Sequence, residues 1–340
     1  MTVAMATMRV LLSLSPPDGS TRYVDQVVTD APASVHFLFF RWRTALFGRY
    51  DVVHVHWPEL MIRARHPAKA WMRRRALTAL LVRTRVMRIP ILRTVHNDRP
   101  HEEGSAAETR ALARLDRSTS LAIVLTATTR VPHDIPTVHI PHGDYRTRFA
   151  PSPDVAAIAG RVLFFGLIRP YKNVDGLISS FVELGDDRFE LRIVGRPSPA
   201  LRRPIEERIA SVERVSGRLE FLPDAELVDE VTASSLVALP YLEMSNSGAV
   251  LVALSLDRPV LVPDSPATAE LAEEVGSQWM YRYSGEFTAS VLRDAIEWSR
   301  AARTERPVLD GRDWATIGRQ HARVYENSIA AARSRRFPAS

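Results

Sequence analysis

The chain has 340 residues, 46% hydrophobic and 25% charged, with no cysteine and a formal net charge of +6. That length suits two domains with a core each, the composition excludes a disordered chain, and the lack of cysteine removes disulfides and thiolate metal sites. No apolar run reaches the roughly 18 residues of a membrane span, and the opening MTVAMATMRVLLSLS has no basic segment before its apolar stretch, so it reads as a first strand rather than a signal peptide.

Taken in order, residues 8–15 predict a strand that runs into the loop Pro16-Pro-Asp-Gly19-Ser20, followed by a helical segment from Thr21. Residues 35–40 and 52–56 predict strands, the second β-branched and ending at Trp57-Pro58. Residues 67–88 have helical periodicity, with Trp71, Met72, Leu77, Leu80, Leu81 and Val82 expected on one apolar side. Short apolar runs at 91–95, 120–125 and 137–140 complete the first half. The two prolines within 149–154 predict a linker. The rhythm then restarts, with strands expected at 161–165, 189–194, 219–222, 236–239 and 259–262. Helices are expected at 173–184, 204–216, 226–234, 248–256, 286–303 and 313–333. Strands alternating with helices predict an α/β chain of two doubly wound, Rossmann-like domains, with a ligand in the cleft between them.

Charge is uneven. Residues 1–150 hold 22 Arg or Lys against 12 Asp or Glu, and the remainder 23 against 27. Between Leu60 and Asn97 stand ten basic residues and no acidic one. Such a field attracts phosphates, anionic lipid or nucleic acid. The basic segment 63–88 fits an anionic membrane surface with its apolar face partly inserted; the plainer alternative is a packed helix with a solvated arginine face. No aromatic-rich or named nucleic-acid module accompanies it, so nucleic acid is not expected as a partner.

Phe165-Gly166-Leu-Ile-Arg169-Pro-Tyr-Lys172 places two cations between a strand and a helix, an arrangement that binds anions. A nucleoside diphosphate leaving group gains charge as its bond breaks, so cations there favour the transition state; a solvated loop is the plain alternative. Ser245-Asn246-Ser247-Gly248, between a strand and an apolar helix, suits either a phosphate cradle or ordinary N-caps. In the first half, Thr94-Val-His96-Asn97 and Val53-His54-Val-His56-Trp57-Pro-Glu59 put polar groups at strand ends. His54 and His56 share a face; a metal is not expected, for want of ligands, and His54 is read as a core histidine. Glu59, His96 and Glu102 are candidate acid/base or hydroxyl-orienting groups.

Over nearly its whole length the chain resembles GT-B glycosyltransferases, and among them bacterial exopolysaccharide and glycolipid enzymes similar to the GDP-mannose:glycolipid 4-β-mannosyltransferases. Asp51–Glu59, Thr94–Asn97 with Pro100-His-Glu102, Phe165–Lys172 and Ser245–Gly248 running to Arg258-Pro-Val260 carry the resemblance. It implies an acceptor-side domain over 1–150, a nucleotide-sugar domain over 155–310, and a helix over 311–335 that crosses back to the first. It implies that Arg169, Lys172 and the Ser245–Gly248 turn hold the donor diphosphate, and that Gly195, Arg196, Leu222 and Pro223 line the nucleoside pocket. It implies that His96 faces the transferred sugar and that Gly19 and Ser20 border the acceptor. A glycan or lipid-linked acceptor, a cytoplasmic place at the inner membrane face, and chemistry without a metal or other cofactor are implied as well.

One departure matters. Retaining relatives carry two Glu around this turn and helix; here Glu243 is present, and Leu251 or Val252 stands where the second would be. Without that glutamate the retaining course does not carry over, and the likeness to β-mannosyltransferases implies inversion, with Glu102 and then Glu59 as the base. A retaining transferase using another, UDP-linked sugar and a nucleotide-sugar-binding protein without catalysis are the alternatives.

Overall fold

Parallel strands need a long crossover to connect them, and alternating helices supply it. The computed structural model, which describes residues 7–17, 22–96, 104–132, 134–244 and 246–334, contains two units built this way. The first comprises residues up to Gly143 with the chain from Trp314 onward, and the second is Asp144–Asp313. The break precedes the Pro-rich 149–154 stretch, because Tyr145 and Phe149 already pack in the second core.

The first unit runs β1 (Met8–Leu12), α1 (Arg22–Thr29), β2 (Val35–Phe39), α2 (Trp42–Phe47), β3 (Val52–Val55), α3 (Pro58–Ile62), α4 (Pro67–Met87), β4 (Ile91–Val95), α5 (Ala106–Ser118), β5 (Leu121–Val124) and β6 (Thr137–His139). Its parallel sheet has the order β2-β1-β3-β4-β5-β6. Side chains alternate along β1: Val10 and Leu12 pack with Tyr23 and Val24 of α1, whereas Leu11 packs with Val53, Leu77 and Leu80 on the other face.

The second unit runs β7 (Arg161–Phe165), α6 (Val174–Leu184), β8 (Glu190–Val194), α7 (Pro199–Ala210), β9 (Val215–Arg218), α8 (Asp224–Ala233), β10 (Leu236–Ala238), α9 (Gly248–Ser255), β11 (Val260–Pro263), α10 (Pro266–Val275), β12 (Met280–Tyr283) and α11 (Ala289–Ser299). Its parallel sheet has the order β12-β11-β10-β7-β8-β9. Chain order therefore reverses between β7 and β10, and ligands of open α/β sheets bind beyond the strand ends at such a point.

Two expectations fail here. The helix placed at 204–216 is α7, five residues earlier at its start, because Ser198 and Pro199 open it and Pro204 is carried inside. The strand placed at 219–222 is β9, which ends at Arg218: Gly217 lies against Ile193, where a Cβ would come 2.8 Å from the carbonyl oxygen. The apolar Leu219 and Leu222 instead follow the strand. Helix α10 and strand β12 escaped the reading altogether.

The last helix, α12 (Trp314–Ser334), is part of the first unit. Trp314, Ile317, Tyr325 and Ile329 pack in the same core as Val10, Leu12 and Val52. Gly318 permits the close approach, since a Cβ there would lie 2.6 Å from the Asp30 carbonyl oxygen. Trp314 is 1% exposed and so tightly packed that a Cβ on Gly143 would fall 2.2 Å from its ring. Trp314→Ala is expected to destabilise the first unit by about 3–5 kcal/mol in urea unfolding; a loss below about 1 kcal/mol would mean the helix adds little to the core.

Helix α4 departs from the single apolar side expected of it. Leu77 and Leu80 are buried, but Trp71, Met72, Val82, Val86 and Met87 are exposed. Trp71, Ala79, Val82 and Val86 recur at helical spacing, with the cation Arg75 among them, so a second, outward and largely apolar stripe runs opposite the packed one.

Candidate active site

In the second unit the expected diphosphate residues gather at the β7/β10 switch point. Gly166 follows β7 with φ 115°, and Gly195 follows β8 with φ 144°. The two turns touch: a Cβ on Gly195 would lie 1.7 Å from the Gly166 carbonyl oxygen. Ladder-like bonds extend the contact, with Gly166 N–H donating to Val194 O at 2.9 Å and Ile168 N–H to Arg196 O at 3.0 Å. The turn is thus clamped before Arg169 and Lys172 leave it.

Arg169 donates to the Ile168 carbonyl at 2.9 Å. Lys172 closes a single 3-10 turn, and Asn173 in the left-handed region (φ 53°) starts α6. The Lys172 ammonium donates to the Tyr241 hydroxyl at 2.9 Å and sits 4.5 Å from the centre of that ring. It also overhangs the turn, 3.7 Å from where a Gly166 Cβ would be. Tyr241 follows β10 and is buried, and Leu242 N–H donates to Tyr171 O at 2.8 Å. The loop after β10 therefore fixes the lysine presented by the loop after β7. Sequence reading missed Tyr241; an aromatic three residues after a switch-point strand was the available signal.

Ser247 is the N-cap of α9, yet its side chain makes no capping bond. That disfavours the plain N-cap reading for Ser247 and leaves the helix end suited to an anion. Asn246 and Gly248 are half-buried beside it; Ser245 lies outside the described residues. Gly195 and the exposed Arg196 follow β8, and the exposed Pro223 opens α8, all on the same edge of the sheet. Leu222 is turned into the core, so its side chain does not line an open surface. Leu251 and Val252 are also core residues, the environment in which a ribose-binding glutamate would be costly.

In the first unit, β3 and β4 are neighbours and are followed directly by His56 and His96. His54 and His56 point to the same face, as their spacing requires, towards α12. His54 is a fully buried core histidine, 2.8 Å from both the Tyr325 hydroxyl and the Thr94 hydroxyl. Burial first, then neighbouring His56, His321 and His96, holds it well below the usual imidazole range. His56 is pushed down to about 3 by burial and then by His321. His96 is likewise held well below 6.5, by burial, then His56, His142 and Arg93. All are neutral at pH 7. Among the described residues no three His, Asp or Glu side chains form a metal-binding group.

Trp57 is in the left-handed region (φ 41°) ahead of Pro58, a strained conformation for a bulky residue. Its indole stacks on the His96 ring, with centroids 4.1 Å apart and planes 16° from parallel. Tyr23 of α1 meets His96 edge-on at 5.0 Å. Neither platform residue was predicted; Trp-Pro at a strand end was the signal. Glu59 lies half-buried in the first turn of α3. Glu102, Gly19 and Ser20 lie outside the described residues.

Residues 159–293 match the family described as Glycosyl transferases group 1. Over 331 residues the chain is 42% identical to a GDP-mannose:glycolipid 4-beta-D-mannosyltransferase of Xanthomonas campestris pv. campestris (strain ATCC 33913), covering 96% of this chain and 94% of that enzyme. The chain belongs to this glycosyltransferase family. A second X. campestris pv. campestris enzyme of the same name is 41% identical with the same coverage. Among solved structures the transferase resembles Anabaena HepE in complex with UDP (TM-score 0.65, 16% identity, 94% of this chain and all of that one). It also resembles the sucrose-phosphate synthase of Thermosynechococcus elongatus (TM-score 0.67, 15% identity, 96% and 100% covered). These likenesses show the GT-B fold.

Proposed function

We propose that the transferase moves mannose from GDP-mannose to a hydroxyl of a glycolipid, with inversion at the anomeric carbon. The 42% identity to a GDP-mannose:glycolipid 4-β-D-mannosyltransferase, spread over both units, carries this reading. The acceptor oxygen attacks the anomeric carbon opposite the diphosphate, the bond to GDP breaks, and a base takes the acceptor proton. Lys172, Arg169 and the start of α9 neutralise the charge that GDP gains. This donor set needs no metal ion, so transfer should continue in EDTA. Glu102 is assigned as the base, with Glu59 as the second choice. Purified protein given GDP-mannose and a lipid-linked glycan should form a β-mannoside by NMR; an α product, or turnover only with a UDP-sugar, overturns the reading.

The outward stripe of α4 supports a membrane contact for this reading. We propose that it meets an anionic bilayer at the inner face of the plasma membrane, where a glycolipid acceptor resides. Trp71, Val82 and Val86 supply apolar contact, and Arg65, Lys69, Arg74, Arg75, Arg85 and Arg88 make no ion pair among the described residues. Arg75 lies 5.3 Å over the Trp71 ring, so charge and apolar surface are presented together. No helix among the described residues is long and apolar enough to cross a membrane. The protein should sediment with phosphatidylglycerol vesicles but not with phosphatidylcholine ones. Serine at Trp71, Val82 and Val86 together should weaken that binding by about tenfold; unchanged sedimentation would remove α4 from the contact.

A further inference from the structure

His56 and His96 share one hydrogen bond, 3.0 Å between His56 Nδ1 and His96 Nε2. A neutral imidazole has one N–H and one lone pair, so one ring must donate and the other accept. The direction follows from the far side of His56. Its Nε2 is fully buried and finds no hydrogen-bond partner among the described residues. A buried N–H without an acceptor is rarer than an acceptor left under-satisfied. The proton of His56 therefore belongs on Nδ1, facing His96.

The arrangement is rigid. The backbone N–H of His56 donates to the Ser13 hydroxyl at 2.7 Å, and that hydroxyl donates back to the His56 carbonyl at 2.8 Å. His54 packs against the His56 ring, with centroids 4.2 Å apart. On the other side, Trp57 and Tyr23 hold the His96 ring.

We propose that His56 is a positioning residue: by donating from Nδ1 to Nε2 of His96, it fixes His96 as a neutral ring with its own proton on Nδ1, a hydrogen-bond donor and not a base. The kinetic part of this inference rests on the transferase reading; the tautomer does not. The basic nitrogen of His96 is already occupied, which removes it from the groups able to accept the acceptor's proton. That role passes to a carboxylate.

Two measurements on the full chain test this. In ¹⁵N-histidine NMR without ligand, His96 is expected as the Nδ1–H tautomer; an Nε2–H tautomer overturns the proposal whatever the enzyme transfers. The second compares His56→Asn, His56→Gln and His56→Phe. The Asn amide nitrogen reaches the Nδ1 position, whereas the Gln amide reaches the Nε2 position. Asn should keep kcat within about threefold, while Gln and Phe should lower it about tenfold with little change in KM for the acceptor. Melting temperature separates folding loss from this pattern. Gln matching Asn in a folded protein, or Phe keeping the wild-type rate, overturns the positioning role.

Discussion

Lys172→Ala is expected to lower kcat by roughly 10²–10³-fold while the protein stays folded. The ammonium is held over the Gly166 turn by the Tyr241 hydroxyl, 2.9 Å away, and by the face of that ring. It is thus preorganised where a diphosphate would develop charge, with little reorganisation left for the moment of bond breaking. On the proposed function its removal deletes a transition-state contact, while among the described residues the fold loses one part-buried hydrogen bond and the contact with the Tyr241 ring. Lys172→Arg should not restore the rate, because a planar guanidinium cannot reproduce a point charge seated on the Tyr241 ring. Steady-state kinetics with GDP-mannose, beside a thermal melt, decide the matter. A folded alanine variant within a few-fold of wild type would show that the diphosphate binds elsewhere.

Acid should unfold the first unit before the second. All 10 histidines of the chain belong to the first unit. His54, His56, His96 and His321 have folded values below the ordinary 6.5, with His56 at about 3 and His321 at about 4, burial being the leading cause in each. The native state therefore binds fewer protons than the unfolded chain below pH 6.5. Stability contributed by these neutral rings is complete above 6.5 and is lost as pH falls towards 4 and 3. At pH 5 each of His56 and His321 costs about 2 kcal/mol relative to pH 7. Against roughly 5–15 kcal/mol for a domain, that loss is large. Urea unfolding at pH 7 and pH 5 should show one transition moving and one staying; a common shift of both would count against the histidine cluster as the cause.

Much of this was legible because the signals were local. Strands such as β3 and β7 are β-branched or aromatic runs with polar ends, and the glycine turn before Lys172 announces its own geometry. The face shared by His54 and His56 follows from the two-residue period of a strand. Contacts between distant segments were not legible. Tyr241 holds Lys172 across 69 residues, and nothing near either residue encodes the pairing. The position of β9 was misread because apolar Leu219 and Leu222 outweighed a glycine, although close strand packing at Gly217 selects the smaller residue. Helix α4 was misread for a different reason: two apolar stripes on one helix blur the single period that sequence patterns detect.

The return of α12 to the first unit bears on how the protein is made. A ribosome releases β1 and β3 early, but Tyr325, the partner of His54, emerges 271 residues later. Until then the sheet face carrying Val10, Leu12 and Val52 has α1 as its cover but lacks Trp314, Ile317 and Ile329. The second unit, whose segments are contiguous, can finish folding first. The newborn chain therefore matures in reverse order, and a premature stop just before Trp314 would release an intact second unit attached to an unfinished partner that invites chaperones or proteolysis.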